Sequence, residues 1–307
     1  MDYFLKSFSF IAIIILGYSL RRIGFFKAND HIFITTRIVM NITLPATVIY
    51  VFSQDLGHEW QWLWLVALGL VCCLIPLFLL FFLSKGKDTI SRAFAMINVN
   101  GYNIGCFGIP VIYSFFGPAS TAVVIMFDIG NAVMMTGGSF ALTSILLKMS
   151  GDDGNFVANA IKKLFKSVPF NTYMLMLILF ILGIKVPPFV QTIVSPIASA
   201  NSFLAMLMLG MMFKVAEDKS EITLALKICG YRFAFAIIFA LSFYYLLPFD
   251  ESIRQIMVIL AFTPISTLAP VFTDMSGGDG RLSSFTNSIS IVISLLMMTV
   301  LATVFLG

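Results

Sequence analysis

Charge is what this sequence has least of. Among its 307 residues are 19 Lys and Arg and 15 Asp and Glu, so 11% is charged while 59% is hydrophobic. A soluble domain is nearer a quarter charged and half apolar. So few charged groups cannot cover a soluble globule, which excludes a soluble enzyme. Histidine is scarcer still: His31 and His58 fall at the ends of apolar runs and form no ligand pair. Cys72, Cys73, Cys106 and Cys229 lie inside apolar runs, with neither metal-ligand nor disulfide spacing. They read as small packing residues. No Walker loop, zinc site or nucleophile elbow occurs, so no catalytic residue, metal or cofactor is expected. The S-G-G-D-G run around Asp279 faintly suggests an intramembrane aspartyl protease. It lacks the first glycine, falls in a loop and has no second aspartate at matching depth. Long polar segments are missing as well, which leaves no room for a sizeable output domain or a nucleic-acid surface.

What is present is apolar length, with a mean hydropathy of +0.98. Apolar runs and their breaks predict ten membrane spans, at 3–20, 31–52, 60–83, 93–116, 119–147, 169–184, 189–213, 228–247, 253–275 and 283–306. The first run reads as a retained helix and not as a signal peptide, because its amino end carries only Lys6 and no small-residue cleavage site follows. Arg21 and Arg22 follow instead. With the amino terminus outside, all but three of the 19 basic residues fall on the cytoplasmic side. They are Arg21, Arg22, Lys27 and Arg37, then Lys85, Lys87 and Arg92, then Lys148, Lys162, Lys163 and Lys166. Lys214, Lys219, Lys227, Arg232 and Arg281 complete the set, and Lys6, Lys185 and Arg254 stay outside. The expectation is a multi-pass protein of the cell membrane, surrounded by lipid bilayer, with both termini outside.

The longest polar connection divides the chain into a first five-span repeat (1–148), a cytoplasmic linker (149–168) and a second five-span repeat (169–307). Five is odd, so the halves enter the membrane in opposite senses, as in the inverted repeats of secondary transporters. A shift of 160 residues carries Asn41 to Asn201 and Pro110-Val111 to Pro270-Val271. Within the linker, Phe156, Val157, Ala160, Ile161, Leu164 and Phe165 share a helical face opposite Lys162, Lys163 and Lys166. That pattern suits a short helix on the inner membrane surface, orienting the halves.

Breaks at membrane depth carry the functional signal, because freed backbone groups there need protein or water partners. The fourth span reads N-V-N-G-Y-N-I-G-C-F-G-I-P, with Asn98, Asn100, Gly101, Asn103, Gly105, Gly108 and Pro110. Glycine eases unwinding, proline removes a helical donor, and asparagine amides replace backbone partners or bind a ligand. The ninth span reads T-P-I-S-T-L-A-P, with Thr263, Pro264, Ser266, Thr267 and Pro270. Plain proline kinks would explain each alone. Two broken helices crossing at the midplane would aim half-helix amino ends at one spot and favour an anion there. Asn41 to Pro45 in the second span, and Asn201 and Ser202 in the seventh, read as interior polar segments. Gly210 reads as a close-packing position. Arg37 and Arg232 read as side chains snorkelling to the interface, with an anion anchor as the other reading.

Asp128 is the one carboxylate near the middle of a predicted span, about 13 Å deep at 1.5 Å per residue. Asn131 follows at i+3 on the same face. The pair could hold a proton or a sodium ion for coupling. A hydrogen-bonded structural aspartate is the plain alternative.

These segments together resemble the auxin efflux carrier family. I-L-G-Y-S-L-R-R-I-G-F-F at 15–26 is similar to its opening helix and basic turn, and N-I-T-L-P-A at 41–46 to its second-helix signature. N-I-G-C-F-G-I-P at 103–110 is similar to the N-T-x-x-x-G-I-P crossover segment, with Ile104 in place of threonine. T-P-I-S at 263–266 is similar to the second crossover. The resemblance implies an all-α polytopic fold of ten transmembrane helices. They form two inverted five-helix repeats with crossed, broken helices four and nine, as in cation–proton antiporters and bile-acid transporters. It also implies a dimerising scaffold domain, a homodimer, and a transport domain moving as an elevator. The implied cargo is a small organic anion, auxin in plants and dicarboxylates in some bacteria. By the same resemblance Asn103 contacts the substrate carboxylate, and Pro110 and Pro264 shape the crossover. Tyr102 stands where plant members have proline, and their long cytoplasmic loop is absent, so a compact prokaryotic carrier fits better.

The expected site is therefore Asn103 and Asn100 with Asn41, Pro45, Asn201, Ser202, Thr263 and Ser266. Gly101, Gly108, Pro110, Pro264 and Pro270 form the crossover, and Asp128 and Asn131 couple H+ or Na+. Two other readings remain: a cation–proton antiporter using Asp128 and Asn131, and a membrane sensor that binds without transport.

Overall fold

The computed structural model describes residues 2–26, 33–54, 60–149 and 155–306. Lys27, His31 and His58 lie outside them. All regular structure among the described residues is helical. The chain runs through α1 (Asp2–Arg22) into a wide π-helical stretch, Phe33–Thr43, which continues as α2 (Leu44–Phe52). Next come α3 (Leu63–Leu83) and α4 (Thr89–Val99). A π turn at Ile104–Gly108 leads to α5 (Ile109–Val133), and a second one at Met134–Gly138 leads to α6 (Ser139–Leu146). The later elements are α7 (Phe156–Lys166), α8 (Val168–Ile181), α9 (Pro188–Met212), α10 (Lys219–Leu246), α11 (Glu251–Ala261), α12 (Ala269–Met275) and α13 (Gly280–Leu306).

Six helical stretches are long and apolar enough to cross a membrane, or seven if α7 and α8, bent by 73°, count as one span. The sequence predicts ten, and the difference lies in the breaks. Thr89–Leu146 passes as one apolar stretch of 58 residues. Straight, it would measure about 87 Å, roughly three times the hydrocarbon thickness. It is interrupted after Val99 and bent at Gly117, whose φ of +84° is open to glycine, just before Pro118. The ninth predicted span is two short helices, α11 and α12, and the sixth is α8, only 14 residues long. The second has Arg37–Phe52 as a shorter apolar helix.

Two helix pairs approach backbone to backbone. A Cβ on Gly69 of α3 would strike the Phe127 carbonyl of α5, and one on Gly130 would strike the Val66 carbonyl of α3. Likewise Gly17 of α1 faces the Leu207 carbonyl of α9, and Gly210 faces the Ile14 carbonyl of α1. Small residues let membrane helices gain close packing where no hydrophobic force draws them together. The α3/α5 contact fixes the face that carries Asp128 and Asn131.

Candidate functional site: a polar junction of two helix breaks

Residues 100–103 leave helical geometry after α4, and residues 262–268 do so between α11 and α12. The breaks meet: the Asn103 N–H donates to the Pro264 carbonyl at 2.9 Å. Gly101 sits at φ +82°, and a Cβ there would also collide with the Met135 side chain. Several of the freed backbone groups find partners elsewhere in the protein. Asn131 accepts from the Tyr102 N–H and donates to its carbonyl, both at 3.0 Å, so one amide stands in for two helical bonds. The Ile265 N–H donates to Ser290 Oγ at 3.1 Å, and the Leu268 N–H to Ser266 Oγ at 3.2 Å.

Arg232 corrects the expectation of a snorkelling side chain. It is 1% exposed, donates to the Thr263 carbonyl at 2.6 Å and lies 4.2 Å above the Tyr102 ring. A weaker bond reaches the Ala261 carbonyl at 3.4 Å. The cation therefore sits at the carboxyl end of α11, where the helix dipole is negative. The predicted span starts at 228 and puts Arg232 near its inner end, whereas α10 begins at Lys219. That puts Arg232 about 20 Å along the helix. Arg37, by contrast, is exposed.

Asp128 lies at the other pole. It is 4% exposed, and both its oxygens receive donors. Tyr173 Oη donates to Oδ2 at 2.5 Å and Asn131 Nδ2 to Oδ1 at 2.7 Å. A Cβ on Gly105 would stand 3.8 Å from Oδ2, so the carboxyl group borders the start of the Ile104–Gly108 turn, the positive end of that half-helix. Opposite charges thus answer opposite helix ends at one junction.

Asn103, Ser266, Asp128 and Asn131 line one cavity of about 70 Å³, together with Tyr102, Thr267 and Tyr173. Asn103 Nδ2 is a buried donor without a partner among the described residues. The remaining predicted residues lie elsewhere. Asn100 turns to Ser139 Oγ at 2.7 Å. Asn201 accepts from Thr43 Oγ1 at 2.8 Å in the contact of α9 with the π stretch before α2. Asn41 is exposed, Ser202 is half-buried and Pro45 is buried in α2. Thr263 donates to Leu260 O at 2.9 Å, and Gly108 leaves room for its methyl group. Pro110 and Pro270 open α5 and α12 near their first turns, where a missing N–H does no harm.

Sequence reasoning passed over Tyr173, named Tyr102 only as a departure from the plant pattern, and named Arg232 only as a snorkelling cation or an anion anchor. Tyr173 was visible only as one hydroxyl in an aliphatic run, and its partner lies 45 residues away.

Long apolar helices, broken and tied together around buried polar groups, fit a polytopic membrane protein. Residues 4–152 match the family model of the membrane transport proteins, the auxin efflux carrier domain, so this part of the chain is similar to that family. No curated protein matches the chain.

Proposed function

We propose that the protein is a secondary transporter that moves a small organic carboxylate, such as a dicarboxylate or an auxin-like acid, across the cell membrane. The observation that carries this reading is the Asn103 amide, whose buried Nδ2 has no partner among the described residues, on the wall of a cavity where two helix breaks meet. Half-helix amino ends and a free amide together suit a carboxylate. About 70 Å³ accepts the carboxylate head alone, so the body of the anion enters as the walls part.

The reading takes the chain as ten crossings in two inverted repeats, with crossed helices four and nine. Helix pairing supports it. α1 packs on α9 as α8 packs on α2, and α3 packs on α5 as α10 packs on α13. Each pair is what the inverted repeat makes of the other. An elevator cycle then has α1, α2, α8 and α9 as the fixed body and the remaining spans as the moving one. The glycine contacts fall within each body, and the Tyr173–Asp128 hydrogen bond runs between them. That bond breaks when one body slides. A homodimer and outward-facing termini go with this reading.

Charge crossing the membrane is worth about 2.3 kcal/mol per elementary charge per 100 mV. Export of an anion from a cell negative inside therefore needs no coupling, whereas uptake needs H+ or Na+, with Asp128 and Asn131 as its binding groups. The test is current on a solid-supported membrane carrying the protein. Malate, malonate, citrate, short monocarboxylates and indole acetate are supplied with and without pH or sodium gradients. A saturable, substrate-specific current is expected. Absence of both current and labelled-substrate uptake for every anion overturns the reading.

A cation–proton antiporter is the second reading, favoured by the buried pair of opposite charges, Asp128 and Arg232, at the junction. Sodium exchange driven by pH in proteoliposomes free of organic anion would establish it.

A further inference from the structure

We propose that the seam between α1 and α13 is a binding site for one anionic phospholipid, with an acyl chain along the seam and the headgroup phosphate on Lys214. The inference does not depend on what the protein carries.

Two hollows run along this seam. One, of about 400 Å³, extends from Phe4 and Phe8 on α1 to Val300 on α13. The other, of about 410 Å³, extends from Tyr18 to Phe213, Val215 and Val292. Both are lined by Ile11, Leu295 and Leu296, so they form one groove. From Phe4 to Tyr18 it follows α1 for about 21 Å, more than one leaflet's share of a roughly 30 Å hydrocarbon core. The polar groups midway, Ser7 and Thr299, bond each other at 2.6 Å and leave the wall apolar. α1 closes tightly on α9 through Gly17 and Gly210, but nothing comparable closes it on α13.

One end of the groove is cationic. Lys214 sits between two lining residues, Phe213 and Val215, and its backbone N–H is held by Ser288 Oγ at 3.0 Å. It is half-buried, and its ammonium makes no hydrogen bond or ion pair with any described residue. Arg21, one turn beyond Tyr18, donates to the Met211 carbonyl at 2.6 Å. Arg281 is paired with Glu217 at 3.1 Å and with Glu221, which occupies the nearby carboxylates. Partial burial, then the positive Arg21 and Arg281, hold Lys214 below the ordinary lysine range. A phosphate would relieve that repulsion, and an acyl chain would fill the groove that leads to it. A neutral lipid leaves the cation unanswered, and a zwitterionic one offers the same phosphate but adds a further positive charge beside Lys214, Arg21 and Arg281.

The experiment incubates the detergent-purified protein with equal amounts of phosphatidylglycerol and phosphatidylcholine of the same chains and counts retained lipid by native mass spectrometry. Each cation near a phosphate is worth about fivefold in retention. Wild type is therefore expected to prefer phosphatidylglycerol by about fivefold or more. Lys214→Gln should lower that preference by about fivefold, and Lys214→Arg should keep it. Leu296→Trp, at an exposed position in both hollows, should remove both lipids. Equal retention of the two lipids by wild type overturns the proposal, as does full preference in Lys214→Gln. Displacement of the lipid by inorganic phosphate alone also overturns it, since the site would then belong to a small anion.

Discussion

At the scale of residues, one amide nitrogen among the asparagines of the junction is left over. Asn131 uses its whole amide on Tyr102 and Asp128, and Asn100 gives its Nδ2 to Ser139. Asn103 alone among these keeps a buried amide donor without a partner among the described residues. A hydrogen bond to a charged ligand contributes about 1.5–3 kcal/mol. Asn103→Ala is therefore expected to lower substrate-evoked current or uptake by roughly tenfold to a hundredfold, with an unchanged melting temperature in detergent. Wild-type flux would remove Asn103 from the site. Asp128→Asn is expected to abolish any dependence of flux on a proton gradient while leaving downhill export measurable. Persistence of the gradient effect would make Asp128 structural. Arg232→Met should act differently, because it strands the Thr263 and Ala261 carbonyls at a helix end. Unsatisfied buried acceptors cost about 1–3 kcal/mol each, so this variant should melt several degrees lower whatever the substrate. Arg232→Lys should recover part of the loss.

At the scale of elements, what was legible in the sequence was local. The breaks in the fourth and ninth spans could be read because glycine, proline and asparagine gather within a few turns. Asp128 and Asn131 could be read as partners because i+3 spacing puts them on one helix face. Tyr173 was not legible, since its link to Asp128 depends on how α8 packs across α5. Arg232 was hidden by a span boundary set too late, at 228 instead of Lys219. Polar residues with equal sequence appeal, such as Asn41 and Ser202, do not reach the cavity, because a helix places successive residues on different faces. Close helix contacts at Gly69 and Gly130 likewise need the partner helix to be seen. They predict that Gly130→Leu, which drives a side chain into the Val66 carbonyl, prevents accumulation of folded protein in membranes. Gly230→Leu, with open space around it, should accumulate normally. Fluorescence size-exclusion profiles of tagged variants would show the difference.

At the scale of the whole molecule, the distribution of basic residues predicts sidedness. Lys162→Cys and Lys185→Cys should label from opposite faces, Lys185→Cys from outside intact cells and Lys162→Cys only after permeabilisation. The four native cysteines are buried and should contribute little background. Labelling of both positions from outside would break the proposed orientation.

The two poles of the junction have one more consequence. Arg232 and Asp128 are tied to the same pair of helix breaks, one through Thr263 and Tyr102, the other through Asn131. In an elevator cycle they travel together. With Asp128 ionised, the two charges cancel, and the empty moving body carries no net charge from this pair through the electric field. Voltage steps without substrate should then elicit little displacement current from the junction. Neutralising Arg232 alone would turn an electrically quiet machine into a voltage-sensitive one.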